Sequence, residues 1–122
     1  VDSLGRMGHG LFQYPTPDGY PDEETPWMGT LMWRWNFSLA LCEGKLGEVR
    51  VPMVELEKAL GKPKDPATTA ARWWAHLIGR AATEAELLSV IAVASKSDVK
   101  NEAKAKAELL GIILAGPAFQ RC

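Results

Sequence analysis

The feature that most constrains the fold is a series of helix start and stop signals, which divides most of the chain into segments of helical length. Helices are predicted to begin at Thr25-Pro26, Asp65-Pro66 and Thr83, because Thr and Asp cap helix N-termini and Pro suits the first helical position. Helices are predicted to end at the glycines that follow the apolar segments, namely Gly44, Gly61, Gly79 and Gly116. Strand patterns are almost absent. The sequence therefore predicts an all-α fold, a compact bundle of four to five helices.

Two of these segments are apolar on nearly all sides. One is the helix predicted from Trp27 to Glu43, in which Arg34 and Ser38 form a narrow polar line, and the other is LLGIILA at Leu109 to Ala115. Helices of this kind are expected to be buried on several sides. The other predicted helices run from Pro52 to Leu60, from Pro66 to Gly79, from the Thr83 and Glu86 capping box to about Ser95, and from an Asp98 cap to Gly116.

The first 26 residues are rich in Pro, Gly and aromatic residues and are expected to form an ordered loop. X-Pro steps at Tyr14, Thr16 and Tyr20 bias the chain towards extended conformations, and Asp18 with Gly19 provides a turn. At its start, the spacing of apolar residues up to Met7 is typical of the last turn of a helix. The predicted organisation is a single domain over 1–122, with a loop over 1–26 and a helical bundle over 27–122.

Charge and cysteine content exclude several classes of protein. The formal net charge is -1 over 122 residues and there is no basic block, which disfavours nucleic-acid binding. No uninterrupted apolar run approaches the roughly 20 residues of a membrane-spanning helix. Cys42 is predicted to be a small core residue and Cys122 a terminal thiol, without a bridge between them. No cofactor is predicted.

Candidate site residues concentrate in the loop. His9 lies between two glycines, and Arg34 follows on the first long helix. If Arg34 pairs with Asp18 or Asp22, it anchors the loop; an Arg34 without such a partner in a cleft would indicate an anionic ligand. The residues expected to form a ligand or partner surface are His9, Tyr14, Asp18, Tyr20, Trp27 and Arg34. No pairing of a nucleophile with a base is evident, which favours a non-catalytic role for this chain alone.

The acidic residues of the loop allow a cation site as an alternative. Asp18, Asp22 and Glu23 could hold a hard cation such as Ca²⁺ through their oxygens, but they lack the full pattern of an EF-hand. Acidic residues ahead of a helix N-terminus are also favourable without any ion. The preferred interpretation is therefore a solvated turn with no metal.

The aromatic residues allow a third interpretation. Tyr14, Tyr20 and Trp27 could bind a polysaccharide, provided that their rings are exposed and coplanar. Trp35 and Trp74 lie at helical spacing among apolar residues and are predicted to belong to the core.

Three segments carry a resemblance to a known family. MGHGLFQYPTPDGYP, followed by a Trp and an apolar helix, resembles the pattern MGQ, P-(S/T)-P-x-G-(W/Y)-P, Trp and helix of the bacterial family called domain of unknown function 1800. LIGRAATEAEL is similar to the LLGR-x-x-(S/T)-x-x-E-L of that family, and LLGIILAGPAFQRC to its closing LL-x-x-ILASP-x-FQ-R. The sequence departs from the pattern at His9, where Gln is common, and at Gly116, where Ser is common.

The resemblance implies a longer parent protein. Members of the family are several times longer and mostly helical, are often exported from the cytoplasm, and are often encoded beside a family of unknown function numbered 1501; no activity or catalytic residue is established for them. This chain would be the C-terminal part of such a protein, located in the periplasm or at the cell surface. The implied partners are the N-terminal region of the parent protein and a protein of the 1501 family. A second copy of this chain is also a predicted partner, through whatever apolar face the missing region leaves bare.

Two functional hypotheses follow. The first is a non-catalytic helical module that contributes packing and an aromatic surface for a partner. The second is a share of a ligand-binding or catalytic site of the parent protein, formed by residues 8–27 and Arg34.

Overall fold

The computed structural model describes residues 2–20, 23, 25, 29–95 and 101–120, and these residues form an all-α fold. The helices are α1 Asp2–Arg6, α2 Leu31–Cys42, α3 Met53–Leu60, α4 Pro66–Ile78, α5 Glu84–Ala94, α6 Glu102–Ala115 and α7 Pro117–Gln120. Five of them are seven residues or longer. The prediction of a compact helical bundle is confirmed. In the described ranges no helix has both the length and the hydrophobicity to cross a bilayer.

The predicted capping residues set the start of α4 and α5. The side chain of Asp65 accepts a hydrogen bond from the backbone N–H of Thr68 at 2.8 Å, and Pro66 occupies the first turn of α4. At α5, Glu86 N–H donates to Thr83 Oγ1 at 3.3 Å, and Thr83 N–H donates to Glu86 Oε2 at 2.8 Å. These bonds satisfy N–H groups that have no partner within a helix.

Two long helices begin later in the chain than predicted. The first long helix begins at Leu31 instead of Trp27, after a turn at Gly29 and Thr30; residues 26–28 lie outside the described ranges. The last long helix begins at Glu102, where Asn101 accepts a hydrogen bond from Ala103 N–H at 2.9 Å. Asn101 is therefore the cap of this helix, a position that Asn suits well, and the predicted cap Asp98 lies outside the described residues.

The core is organised around α6. The second half of this helix is buried from Leu109 to Ile113, as the sequence predicts, and Ile113 is 0% exposed. It packs against α2, α4 and α5, and α4 contributes Trp73 and Trp74, which are 1% and 3% exposed. The prediction that Trp74 belongs to the core is confirmed.

A glycine allows α2 and α6 to approach closely. A Cβ atom added at Gly111 would lie 2.9 Å from Leu39 Cδ2 and 3.3 Å from Leu39 Cα. Ser38 is buried at the same contact, and its hydroxyl donates to the carbonyl of Arg34 at 3.0 Å. The predicted polar line of α2 thus faces its neighbour, because a small side chain with a local hydrogen bond fits a close helix contact better than a large apolar one. We call the contact of Ser38 and Leu39 with Gly111 the α2–α6 seam.

The first half of α2 is open, which corrects the expectation that this helix is buried on several sides. Trp35, predicted to lie in the core, is 40% exposed. We call this exposed first half, residues 31–35, the outer face of α2. Its large apolar residues are Leu31, Met32, Trp33 and Trp35.

Candidate functional site

The candidate site begins where α1 turns into the loop. Met7 is buried and closes α1, consistent with the helical spacing that precedes it. Gly8 follows with a φ of +80°, a left-handed conformation that glycine adopts without strain. The N–H of His9 then donates to the Leu4 carbonyl at 2.7 Å. The chain therefore reverses direction next to the start of α2.

Arg34 joins this turn to α2. Its Nη2 donates to the carbonyl of Met7 at 3.4 Å and its Nε donates to Thr30 Oγ1 at 3.2 Å. No ion pair links it to Asp18 among the described residues, and Asp22 lies outside them. Arg34 therefore anchors the loop through a backbone carbonyl. This contact is neither the acidic partner nor the anionic ligand that the sequence suggested.

Three ring-bearing residues of the predicted site lie together. The ring of Tyr20 is 4.7 Å from that of His9 at an interplanar angle of 63°, and 4.7 Å from that of Tyr14 at 47°. The hydroxyl of Tyr20 donates to the Gly10 carbonyl at 2.5 Å. Tyr20 thus closes the loop across ten positions, and His9, Tyr14 and Tyr20 form one cluster that we call the aromatic cluster.

The tip of the loop presents two apolar residues that the sequence reasoning did not select. Phe12 has a φ of 57°, which is strained for a bulky side chain, and its side chain is fully exposed. Leu11 beside it is 56% exposed. The signal in the sequence was a pair of adjacent large apolar residues directly after a glycine, without the periodicity of a helix or strand.

The remaining predicted site residues do not join the cluster. Asp18 and Glu23 are exposed, while Trp27 and Asp22 lie outside the described residues. Within the part of the chain that the structure describes, no three His, Cys, Asp or Glu side chains are grouped as metal ligands would be. The cation alternative thus gains no support from Asp18 and Glu23.

The thiol of Cys42 is not placed for nucleophilic chemistry. It is a free, buried cysteine on α2, as predicted for a small core residue. Burial, together with the negative charge of Glu43, raises the pKa of the Cys42 thiol to about 11. A thiol of this kind is protonated at neutral pH and is therefore inert.

The fold and the site together define a helical module in which an aromatic loop is fastened to the start of one exposed helix. A family model described as protein of unknown function (DUF1800) matches residues 1–121, nearly the whole chain, and the chain belongs to this family. No curated protein and no solved structure matched the chain.

Proposed function

We propose that this chain is a non-catalytic protein-interaction module that docks through the outer face of α2. The observation that carries the proposal is the exposure of four large apolar side chains on one short helix: Leu31 is 41% exposed, Met32 65%, Trp33 46% and Trp35 40%. Large exposed apolar side chains grouped in one short segment are typical of binding sites on soluble domains. Trp residues in particular contribute strongly to binding when a partner covers them.

The way in which α2 packs favours docking, and not poor packing of the helix, as the reason why its apolar residues are exposed. The second half of α2 is held against the core, because Ser38 and Cys42 are buried and α6 approaches closely at Gly111. The exposed apolar residues lie in the first half, away from this contact. The ring of Trp33 also contacts α1, since the Arg6 guanidinium lies over it at 5.1 Å from the ring centroid.

The partner in this proposal is the apolar surface of a polypeptide. The family resemblance favours two sources: the N-terminal region of a longer, exported parent protein, or a protein of the 1501 family. The exposed apolar residues of α2 also allow a second copy of this chain. The proposal includes export to the periplasm or cell surface as the place where docking occurs. A second copy is the partner that can be tested with this chain alone.

The aromatic cluster supports the docking proposal better than the two alternatives. Its tyrosine rings are tilted by 47°, and Tyr20 also donates its hydroxyl to Gly10 within the loop. Such rings do not form the flat platform that polysaccharide binding requires. Likewise, the bonds of Arg34 to Met7 and Thr30 support an anchoring role over ligand binding.

Light scattering coupled to size exclusion tests the homodimer. We expect the wild-type chain to dimerise with increasing concentration and the double variant Met32→Glu, Trp35→Glu to remain a monomer, because two buried, unpaired carboxylates would destabilise the interface. A matched control is Val54→Glu, which places a carboxylate at an apolar residue of α3 that is 56% exposed. The control should dimerise like the wild type.

A wild-type chain that is monomeric at its highest soluble concentration would contradict the homodimer. A control variant that also becomes monomeric would show that added charge, and not the outer face of α2, governs association. Circular dichroism should show unchanged helix content in all variants, since the substituted residues are exposed.

A further inference from the structure

A second site lies at the other end of the fold, where the start of α4, the end of α5 and the first half of α6 surround a half-enclosed pocket of about 290 Å³. This volume is at the lower end of the range of small-molecule sites, which is roughly 300–1,000 Å³. None of the residues of the loop or of α2 lines the pocket. The apolar lining residues are Pro63, Pro66, Ile91, Ala94, Ala105 and Leu109.

Most polar side chains of the pocket already have partners. The hydroxyl of Thr69 donates to the Asp65 carbonyl at 3.0 Å, and that of Ser95 donates to the Ala92 carbonyl at 3.1 Å. Lys106 pairs with Glu102 at 2.8 Å and with Glu57 of α3 at 2.7 Å. The hydroxyl protons and the carboxylate of Glu102 are thus engaged within the protein.

Lys64 differs from these groups. It lines the pocket and is exposed, and within the described ranges it takes part in no ion pair. The neighbouring carboxylate of Asp65 accepts hydrogen bonds from the N–H and the hydroxyl of Thr68, both at 2.8 Å, as the cap of α4. The pocket therefore combines an apolar lining with an exposed lysine, Lys64, which forms no ion pair with any residue that the structure describes.

We propose that this pocket binds a small molecule with an apolar body and a single carboxylate, which pairs with Lys64. Removal of the apolar body from water drives binding, because the lining is largely aliphatic. The ammonium group of Lys64 selects an anionic head over a neutral one. Since this ion pair is open to solvent, its contribution to affinity is modest.

Binding of octanoate and of 1-octanol to the intact chain tests the proposal, with affinities from titration calorimetry and positions from amide chemical shifts. We expect octanoate to bind about two- to fivefold more tightly than 1-octanol. The amide shifts should be largest at Ala94 and Ala105. In Lys64→Gln the two ligands should bind equally, whereas Lys104→Gln, which neutralises an exposed lysine of α6 outside the pocket, should keep the preference of the wild type.

A second pair of variants tests the pocket itself. Ala105→Phe places a ring in the pocket from an exposed position of α6, and both ligands should bind about tenfold more weakly or not at all. Ala103→Phe adds the same ring at an exposed position of α6 that does not line the pocket and should bind both ligands normally. Helix content and unfolding temperature, measured by circular dichroism, confirm that both variants fold.

Three results would overturn the proposal. Absence of octanoate binding to the wild type would remove the site, and normal binding by Ala105→Phe would place it elsewhere. An undiminished preference for octanoate in Lys64→Gln would exclude Lys64 as the group that recognises the carboxylate.

Discussion

Tryptophans on α4 and on α2 occupy opposite environments, although both pairs lie on apolar helices. Trp73 and Trp74 are 1% and 3% exposed, while Trp33 and Trp35 are 46% and 40% exposed. The two regions also differ in their helix ends. The helices α4, α5 and α6 each have a side-chain cap, whereas Thr30 makes no capping bond to α2 and its hydroxyl accepts from Arg34 instead.

The comparison shows that α4 buries its tryptophans and that α4, α5 and α6 each have a side-chain cap, while the first half of α2 is exposed and has no such cap. The second half of α2 packs along α6 at the α2–α6 seam, Arg34 joins the loop to α2, and the hydroxyl of Tyr20 closes the loop. The outer face of α2 contributes little to the fold itself. It is therefore available for a partner at low cost to stability.

Truncation of side chains in the two regions gives the largest expected contrast. Ile113→Ala should lower the free energy of unfolding by about 2–5 kcal/mol, because it opens a cavity in the core. Met32→Ala should change it by less than about 0.5 kcal/mol, because Met32 is largely exposed. Urea unfolding followed by circular dichroism measures both, and comparable losses would show that the outer face of α2 supports the fold.

Substitution at the seam gives an intermediate effect. Gly111→Ala should lower the free energy of unfolding by about 1–3 kcal/mol, since the new Cβ would be too close to Leu39. This loss would occur although Ala favours helices over Gly by about 1 kcal/mol. Gly5→Ala in α1 is the matched control, because nothing lies within 4 Å of its Cβ position. The control should show no loss; a Gly111→Ala variant as stable as the control would argue against a close seam.

The pH dependence of the α5 cap is the smallest expected effect. Hydrogen bonds from Arg80, and secondarily from Thr83, lower the pKa of Glu86 from its ordinary value of 4.5 to about 2. Its stabilisation of the fold is therefore complete above pH 4.5 and is lost as the pH falls towards 2, because the unfolded state binds the proton more tightly. The unfolding temperature of Glu86→Gln should lie below that of the wild type at pH 7, and the difference should disappear near pH 2.

A matched control for this prediction is Glu48→Gln, which changes an exposed glutamate outside the helices. Its difference from the wild type should stay small at all pH values. A Glu86→Gln difference that does not depend on pH would assign the loss to packing instead of charge.

Helix boundaries marked by local chemistry were predictable from the sequence. The side chains of Asp65, Thr83 and Glu86 make the expected cap bonds, and Gly79 ends α4 in a left-handed conformation. These signals act over three or four residues, so they survive without tertiary context. The buried run of α6 was also predictable, because a helix that is apolar on all sides has few alternatives to the core.

The orientation of α2 was not predictable in this way. Its apolar residues surround the helix, so the pattern does not specify which side is buried. Ser38 and Gly111 decide the matter through a close approach between two helices distant in sequence. In the candidate site, the rings of His9, Tyr14 and Tyr20 lie together, and Arg34 donates to Thr30 Oγ1 and to the carbonyl of Met7. A bond to a backbone carbonyl is one that no residue pattern identifies.

The seam at Gly111 also limits which substitutions this sequence can accept during evolution. Because Leu39 Cδ2 and Leu39 Cα lie 2.9 Å and 3.3 Å from the missing Cβ, a larger residue at position 111 requires the Leu39 side chain to move and α2 to shift. Displacing α2 would move the whole outer face and any partner bound to it. Positions 39 and 111 are thus coupled to each other and, through α2, to the outer face that the partner is proposed to bind.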